Sequence, residues 1–219
     1  MDAEARSYEF YFNQGRSFFL IEDYERAIEN FSRAIKMEPA SFRAHNFCGL
    51  AYFHPKNYRL AEEHFLEAIK LNPFFTEAYT NLGGLYFALH RFNEARGMLE
   101  KSLELSPNSV AAHATLGSLL LLLGNIDLGV QHLAKALDIN PEYLENNPPH
   151  VIDVPAAQAN MAEIYFAYAR IYAQKGNIEK TIEYLNKARQ FGFSDWERLK
   201  REKEFEGVRD DPRIQAIIR

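Results

Sequence analysis

The sequence predicts an all-α protein built as a tandem array of one repeated unit. Four prolines stand 34 residues apart, at Pro39, Pro73, Pro107 and Pro141. A second column with the same period contains only glycine, at Gly15, Gly49, Gly83 and Gly117. A fixed period of this length is typical of solenoids, in which each unit packs on its neighbours and the array usually forms a binding surface.

The spacing within each unit predicts a helical hairpin. Windows that begin at Tyr8, Phe42, Thr76 and Val110 carry recurrent residues at positions four, seven, eight and eleven, which share one face of a helix. Positions 20, 24 and 27 share one face of a second helix. A polar turn separates the two helices, and the proline stops the second one. The glycine column is expected to let the two backbones approach closely.

The third unit carries this pattern in its clearest form. Its motif residues are Tyr79, Leu82, Gly83, Tyr86, Ala95 and Pro107. At these offsets the unit resembles the tetratricopeptide repeat, whose 34-residue motif places a large aromatic residue, Leu-Gly, Tyr, Ala, Phe, Ala and Pro in the same columns. The resemblance implies a right-handed superhelical solenoid that acts as a protein-binding adaptor or scaffold.

About five repeats are predicted within a single domain that spans residues 1–219. The repeats are residues 8–41, 42–75, 76–109, 110–143 and 162–195. The fifth is more divergent and is found by aligning Gly176 with Gly124. Its motif residues are Tyr165, Tyr168, Ala169, Tyr172, Thr181, Leu185, Ala188 and Phe193. The proline-rich segment 144–157 is predicted to be an inserted loop.

Residues 196–219 are predicted to form a helical cap. We expect a charged helix from Asp195 to Phe205 and a short last helix that opens at Asp211 and Pro212. A terminal repeat needs a polar outer face. The residues expected to supply it are Arg198, Lys200, Arg201, Glu202, Lys203 and Glu204. The last helix carries three isoleucines on one face, Ile214, Ile217 and Ile218.

Composition excludes several classes of function. The net charge is −5, so no basic stripe is available for sequence-independent binding of nucleic acid. Cys48 is the only cysteine, which excludes an internal disulfide framework. The chain has no apolar run long enough to cross a membrane and begins with acidic residues, so we expect a cytoplasmic location, without direct insertion into a membrane.

The resemblance implies that one face of each first helix lines a concave groove. In this sequence that face is mainly apolar, with scattered amides. The predicted groove residues are Phe12, Asn13, Arg16, Phe19, Asn46, Phe47, Leu50, Phe53, Thr80, Asn81, Phe87, Thr115 and Leu121. A row of aromatic residues suits a peptide or helix with hydrophobic anchors, whose backbone the amides could hold. The aromatic residues at position 12 could equally pack against the next repeat.

Two alternatives stay open at this point. In the first, the protein is a self-associating scaffold whose groove is filled by its own last helix or by that of a second copy. In the second, the chain is the targeting module of a larger enzyme or a secretion or pilus assembly factor, as some similar bacterial repeat proteins are.

One subtype of the family is not predicted. Co-chaperone repeats that bind the acidic C-terminal peptide of heat-shock proteins do so with Lys, Asn and Arg side chains at five fixed positions. The first three units here offer Phe12, Arg16, Phe47, Glu77 and Asn81 at those positions. Glu77 would repel a carboxylate.

Catalysis and metal binding find little support in the sequence. His45 and Cys48 share a helix face, which is the minimal arrangement for an activated thiol, but no third group orients them. The seven histidines are scattered over the units and show no local metal-ligand spacing. We therefore predict a protein that is not an enzyme and has no catalytic residue, cofactor or metal.

Overall fold

The structure is a computed structural model that describes residues 7–143 and 161–218. The described residues form twelve α-helices: α1 Tyr8–Leu20, α2 Tyr24–Met37, α3 Phe42–Phe53, α4 Tyr58–Leu71, α5 Thr76–Ala88, α6 Phe92–Leu105, α7 Val110–Leu122, α8 Ile126–Ile139, α9 Met161–Gln174, α10 Ile178–Gln190, α11 Arg198–Arg201 and α12 Pro212–Ile218. No strand occurs among them, so the all-α prediction is confirmed. The predicted loop at 144–157 lies outside the described residues.

The helices group into two compact units, residues 1–107 and residues 108–219. The first unit contains the hairpins α1–α2, α3–α4 and α5–α6, and the second contains α7–α8, α9–α10 and the two terminal helices. The first four hairpins begin at Tyr8, Phe42, Thr76 and Val110, the residues that open the sequence windows. The single domain over 1–219 stays a prediction.

The first helix of every repeat ends with the same backbone device. At the end of α1, the N–H of Glu22 donates to Phe19 O and the N–H of Asp23 donates to Phe18 O, which is the Schellman pattern. The pattern needs one residue with positive φ. In the first three repeats the residue with positive φ is Glu22, Lys56 or His90, and in the last two it is Gly124 or Gly176. The chain then reverses and the second helix begins two residues later.

The second helices of the first four repeats end because of the proline column. The residue before each proline is extended, with φ between −129 and −141° and ψ between 82 and 99°. These residues are Glu38, Asn72, Ser106 and Asn140. Proline disfavours helical geometry at the residue that precedes it, so the helix stops one position earlier.

The glycine column does allow the two helices of a hairpin to pack closely, as predicted. A Cβ atom added at Gly83 would lie 2.7 Å from Leu99 Cγ and 3.3 Å from Ala95 O. Added at Gly15, it would lie 2.7 Å from the ring of Phe31. Side chains of position 24 therefore lie directly on the backbone of the partner helix.

The fifth repeat is a genuine hairpin with a different ending. Its eight predicted motif residues are all buried. Where the other units have proline, α10 ends at Gln190 and is followed two residues later by Gly192, which has φ of 92°. The N–H of Phe193 then donates to Ala188 O and that of Gly192 donates to Arg189 O, so a Schellman motif replaces the proline stop.

The cap departs from its prediction. The expected helix from Asp195 to Phe205 is broken into α11 and a 3-10 turn, Lys203–Phe205, with an extended residue at Glu202. Leu199 and Phe205 are both fully buried. Residues six apart do not share a helix face, so a continuous helix could not bury both side chains on one side.

Three residues expected on the polar outer face of the cap instead make inward ion pairs. Buried Arg170 of α9 pairs with Glu202 at 2.8 Å and with Glu204 at 2.6 Å, as well as with Asp127 of α8. Arg198 pairs with Glu163 of α9 at 2.7 Å. A buried guanidinium requires such partners, so these charges hold the cap on the fifth repeat. Lys200, Arg201 and Lys203 are exposed.

Two glycines in α5 test the packing of the hairpin. We expect Gly83→Ala to lower the free energy of unfolding by about 1–3 kcal/mol, because the new methyl group would overlap Leu99. The matched control is Gly84→Ala, where a Cβ atom meets nothing within 4 Å. That change should raise stability by about 0.5–1 kcal/mol through helix propensity. Urea unfolding followed by circular dichroism measures both, and equal effects would contradict the close contact.

The turn glycines give a second test. Gly124 has φ of 81° with open space around its Cα, so Gly124→Ala adds backbone strain but no clash. We expect a loss of about 1 kcal/mol in the free energy of unfolding. Gly97→Ala, at an open position within α6, is the control and should not destabilise. A Gly124→Ala protein as stable as the parent would exclude the positive φ.

Candidate functional site

Eleven of the thirteen predicted groove residues belong to the first unit, and they differ in depth. Phe12, Asn46 and Phe87 are buried. The other eight retain accessible surface: Asn13, Arg16, Phe19, Phe47, Leu50, Phe53, Thr80 and Asn81. We call these eight residues the accessible face. They project from α1, α3 and α5, the first helices of three successive repeats.

Phe47 joins the first two repeats at this face. Its ring centroid lies 5.5 Å from that of Phe12 and 6.4 Å from that of Phe19, both in T-shaped geometry. The guanidinium of Arg16 lies over the Phe47 ring, 5.7 Å from its centroid. Edge-to-face contacts of this kind fix the orientation of the ring, which remains half-buried. A rigid, half-buried aromatic surface with a cation at its edge results.

The aromatic residues at position 12 pack against the second helix of their own repeat. The ring pairs are Phe19 with Tyr24, Phe53 with Tyr58 and Phe87 with Phe92, at 5.7, 5.7 and 6.2 Å between centroids. Phe19 also contacts the next repeat, through the rings of Phe47 and His54, which is the packing that the sequence left open. Each ring therefore contacts an aromatic residue of its own repeat. Phe87 is only 8% exposed, so Phe87 belongs to the core more than to a binding surface.

Hydrogen bonds hold two polar residues of the accessible face, one of them between repeats and the other within the third repeat. Asn81 Nδ2 donates to Asn46 Oδ1 at 2.9 Å, which links α5 to α3. Thr80 Oγ1 lies 2.7 Å from Ser102 Oγ of α6. An amide has two N–H donors and an acceptor oxygen, so this bond orients Asn81 while leaving it capacity for another partner.

The two predicted groove residues of the second unit lie differently. Thr115 is half-buried, whereas Leu121 is fully buried in the core, where its Cδ2 atom would lie 2.7 Å from a Cβ added at Gly129. The last helix also stays within this unit. Ile214 and Ile217 are buried, and α12 contacts α10.

Sequence reasoning missed one residue beside the face. His54 stacks on Tyr24 with ring centroids 4.7 Å apart and lies edge-on to Phe19 at 5.5 Å. Its imidazole therefore extends the aromatic surface at the end of α3. The available signal was its position directly after Phe53, next to the predicted aromatic row.

The thiol of Cys48 is not poised as a nucleophile. His64 of α4, and not His45, is its neighbour, with Nε2 at 3.5 Å from Sγ. Burial raises the pKa of Cys48 to about 12, so the sulfur stays protonated at neutral pH. Burial also lowers the pKa of His64, to about 4, which makes it a poor proton acceptor.

Comparison with known sequences decides the family. Sequence models of the tetratricopeptide repeat match residues 12–74, 86–146 and 162–188, which fall on the hairpins described above. The chain belongs to the tetratricopeptide repeat family. Proteins of this family generally serve as non-catalytic interaction modules. No curated protein matches the chain at a significant level.

Solved structures support the same fold. The first tetratricopeptide domain of Spaghetti (RPAP3), bound to the HSP90 peptide SRMEEVD, is 27% identical, with a TM-score of 0.52 over 55% of this chain and 96% of that one. YrrB, described as having an unusual peptide-binding site, is 21% identical with a TM-score of 0.55 over 86% and 88% of the two chains. TTC0263 of Thermus thermophilus is 19% identical, with a TM-score of 0.61 over 89% and 96%.

Two further observations concern metal binding and membrane insertion. In the described part of the chain, no group of three or more His, Cys, Asp and Glu side chains could hold a metal ion. No helix among residues 7–143 and 161–218 is long and apolar enough to cross a membrane.

The depth of the phenylalanines at position 12 can be measured. We expect Phe87→Ala to lower the free energy of unfolding by about 3–5 kcal/mol, since it removes a buried ring. Phe53→Ala removes a half-buried ring and should cost less than half as much. Urea unfolding of both variants provides the comparison. Equal losses would place Phe53 in the core and remove it from the accessible face.

Proposed function

We propose that this protein is a non-catalytic adaptor whose first unit binds a peptide segment on the accessible face. The observation that carries the proposal is the set of half-buried rings of Phe19, Phe47 and Phe53, held by aromatic contacts from beneath. Half-buried aromatic residues lose little conformational entropy on binding, so they suit hydrophobic anchors of a partner.

The family adds independent support. A structure of an RPAP3 repeat domain that is 27% identical to this chain contains a bound peptide. Members of the family generally bind proteins and lack catalysis, and the buried, protonated Cys48 thiol is consistent with the same role here.

The chemistry of the face favours one kind of partner. Apolar side chains of an extended or helical segment would cover the phenylalanine rings and Leu50, while Asn13 and Asn81 hydrogen-bond to its backbone. Arg16 is the one cation on the accessible face, and Glu77 lies exposed on α5. An acidic peptide that ends in a free carboxylate is therefore a poor match, unlike in co-chaperone repeats.

A peptide-display screen with the full chain tests the proposal. We expect enrichment of peptides with two or more large apolar residues, and no binding of the acidic peptide SRMEEVD in a calorimetric titration. Leu50→Asp should weaken binding of the enriched peptides at least tenfold, because it places a charge beside the rings.

The matched control makes the same change on the second helix of the same hairpin. Leu66 of α4 is 46% exposed and lies outside the accessible face, so Leu66→Asp should leave affinity unchanged. Circular dichroism checks that both variants are folded. Equal affinities of the two variants, or tight binding of SRMEEVD, would contradict the proposal.

A further inference from the structure

Two pairs of histidines bridge the helices of a hairpin in the same way. In the second repeat, Nδ1 of His45 on α3 lies 3.0 Å from Nδ1 of His64 on α4. In the fourth repeat, Nδ1 of His113 on α7 lies 2.9 Å from Nδ1 of His132 on α8. The ring planes are inclined by 43° and 38° in the two pairs. Each pair lies within one compact unit.

The repeats show that histidine is not needed at these positions for folding. The pairs occupy positions four and 23 of the unit. The first, third and fifth repeats carry Tyr11 with Asn30, Tyr79 with Met98 and Tyr165 with Tyr184 at these positions. Histidine therefore occurs at both positions or at neither. Packing alone would accept one histidine, so the paired occurrence points to a use that needs two imidazoles together.

The second-repeat pair has the surroundings of a metal ligand. His45 Nε2 lies 3.3 Å from the backbone oxygen of Pro39, to which it can donate its proton. A histidine that binds a metal typically donates its other ring N–H to such an acceptor, which fixes the tautomer and the ring. On His64 the second nitrogen faces Cys48 Sγ, a weak acceptor.

We propose that each histidine pair binds one divalent transition-metal ion through its two Nδ1 atoms. Bonds of about 2.0–2.1 Å place two ligand nitrogens about 2.9 Å apart at the right angle of square-planar or octahedral coordination and about 3.3 Å apart in tetrahedral geometry, so each pair needs to open by a few tenths of an ångström at most. In the second repeat, the single proton between the two Nδ1 atoms moves to Nε2 of His64, and both rings stay neutral. Water completes the coordination, since each site has two protein ligands.

Such an ion would connect the two helices of its hairpin. It would add an interhelical link in the second and fourth repeats only. Because binding would require the folded arrangement of two helices, the ion would stabilise the folded state. This inference does not depend on peptide binding.

Calorimetric titration of the untagged full chain with Ni²⁺ tests the sites. Nickel is chosen because imidazole suits it, whereas zinc and copper(I) also favour the nearby thiol. We expect two ions per chain and a higher melting temperature. His64→Asn and His132→Asn copy the residue of the first repeat, Asn30, and each should reduce the stoichiometry to one. The double variant should bind none and should show no change in melting temperature.

His54→Asn is the matched control, because His54 lies in the second repeat outside either pair, and it should retain two sites. If a variant with Asn is not folded by circular dichroism, His45→Tyr removes the same pair with the residue that three other repeats use. Absence of binding to the parent chain, or two sites remaining in the folded double variant, would overturn the proposal.

Discussion

The contact between the glycine column and the large residue at position 24 is the constraint on which the rest of the structure depends. With no Cβ at Gly15 or Gly83, the Phe31 and Leu99 side chains lie directly on the neighbouring backbone. This closeness fixes how the two helices of a hairpin face each other. It consequently decides which side of each first helix is covered and which remains for the accessible face.

The fold was predictable to the residue where the pattern repeats. Each column is seen four times, so an accidental residue such as Ser102 in place of alanine does not hide the signal. The cap is seen only once, and there the predicted continuous helix from Asp195 to Phe205 was wrong, although the short last helix does begin at Pro212. Glu202 and Glu204 look like solvent-facing charges in the local sequence. Their partner Arg170 lies on α9, more than 30 residues earlier, and no local periodicity reveals such a pair.

The burial of the predicted groove residues could not be read from the sequence. Phe53 at position 12 is half-buried and belongs to the accessible face, yet Phe87 at the same position is buried. Both rings contact an aromatic residue at position 17: Phe87 contacts Phe92, and Phe53 contacts Tyr58. How far each is covered depends on side-chain directions and on the neighbouring repeat. The helical period of a sequence gives neither the side-chain directions nor the contacts with the neighbouring repeat, so the sequence alone could not distinguish an accessible phenylalanine from a buried one.

Some positions of the repeat maintain the hairpin while others vary, so the residues at the variable positions can change without a change of fold. Glycine at position eight and the large residue at position 24 maintain the hairpin in the first four repeats, and Ala169 takes the place of the glycine in the fifth, so positions four and 23 are free to change. They hold a tyrosine pair in the fifth repeat and histidine pairs in the second and fourth. All of these fill the same space between two helices with planar rings. Only the imidazoles carry nitrogen atoms in the ring, so exchange at these two positions alters the chemistry of a repeat while its backbone remains the same.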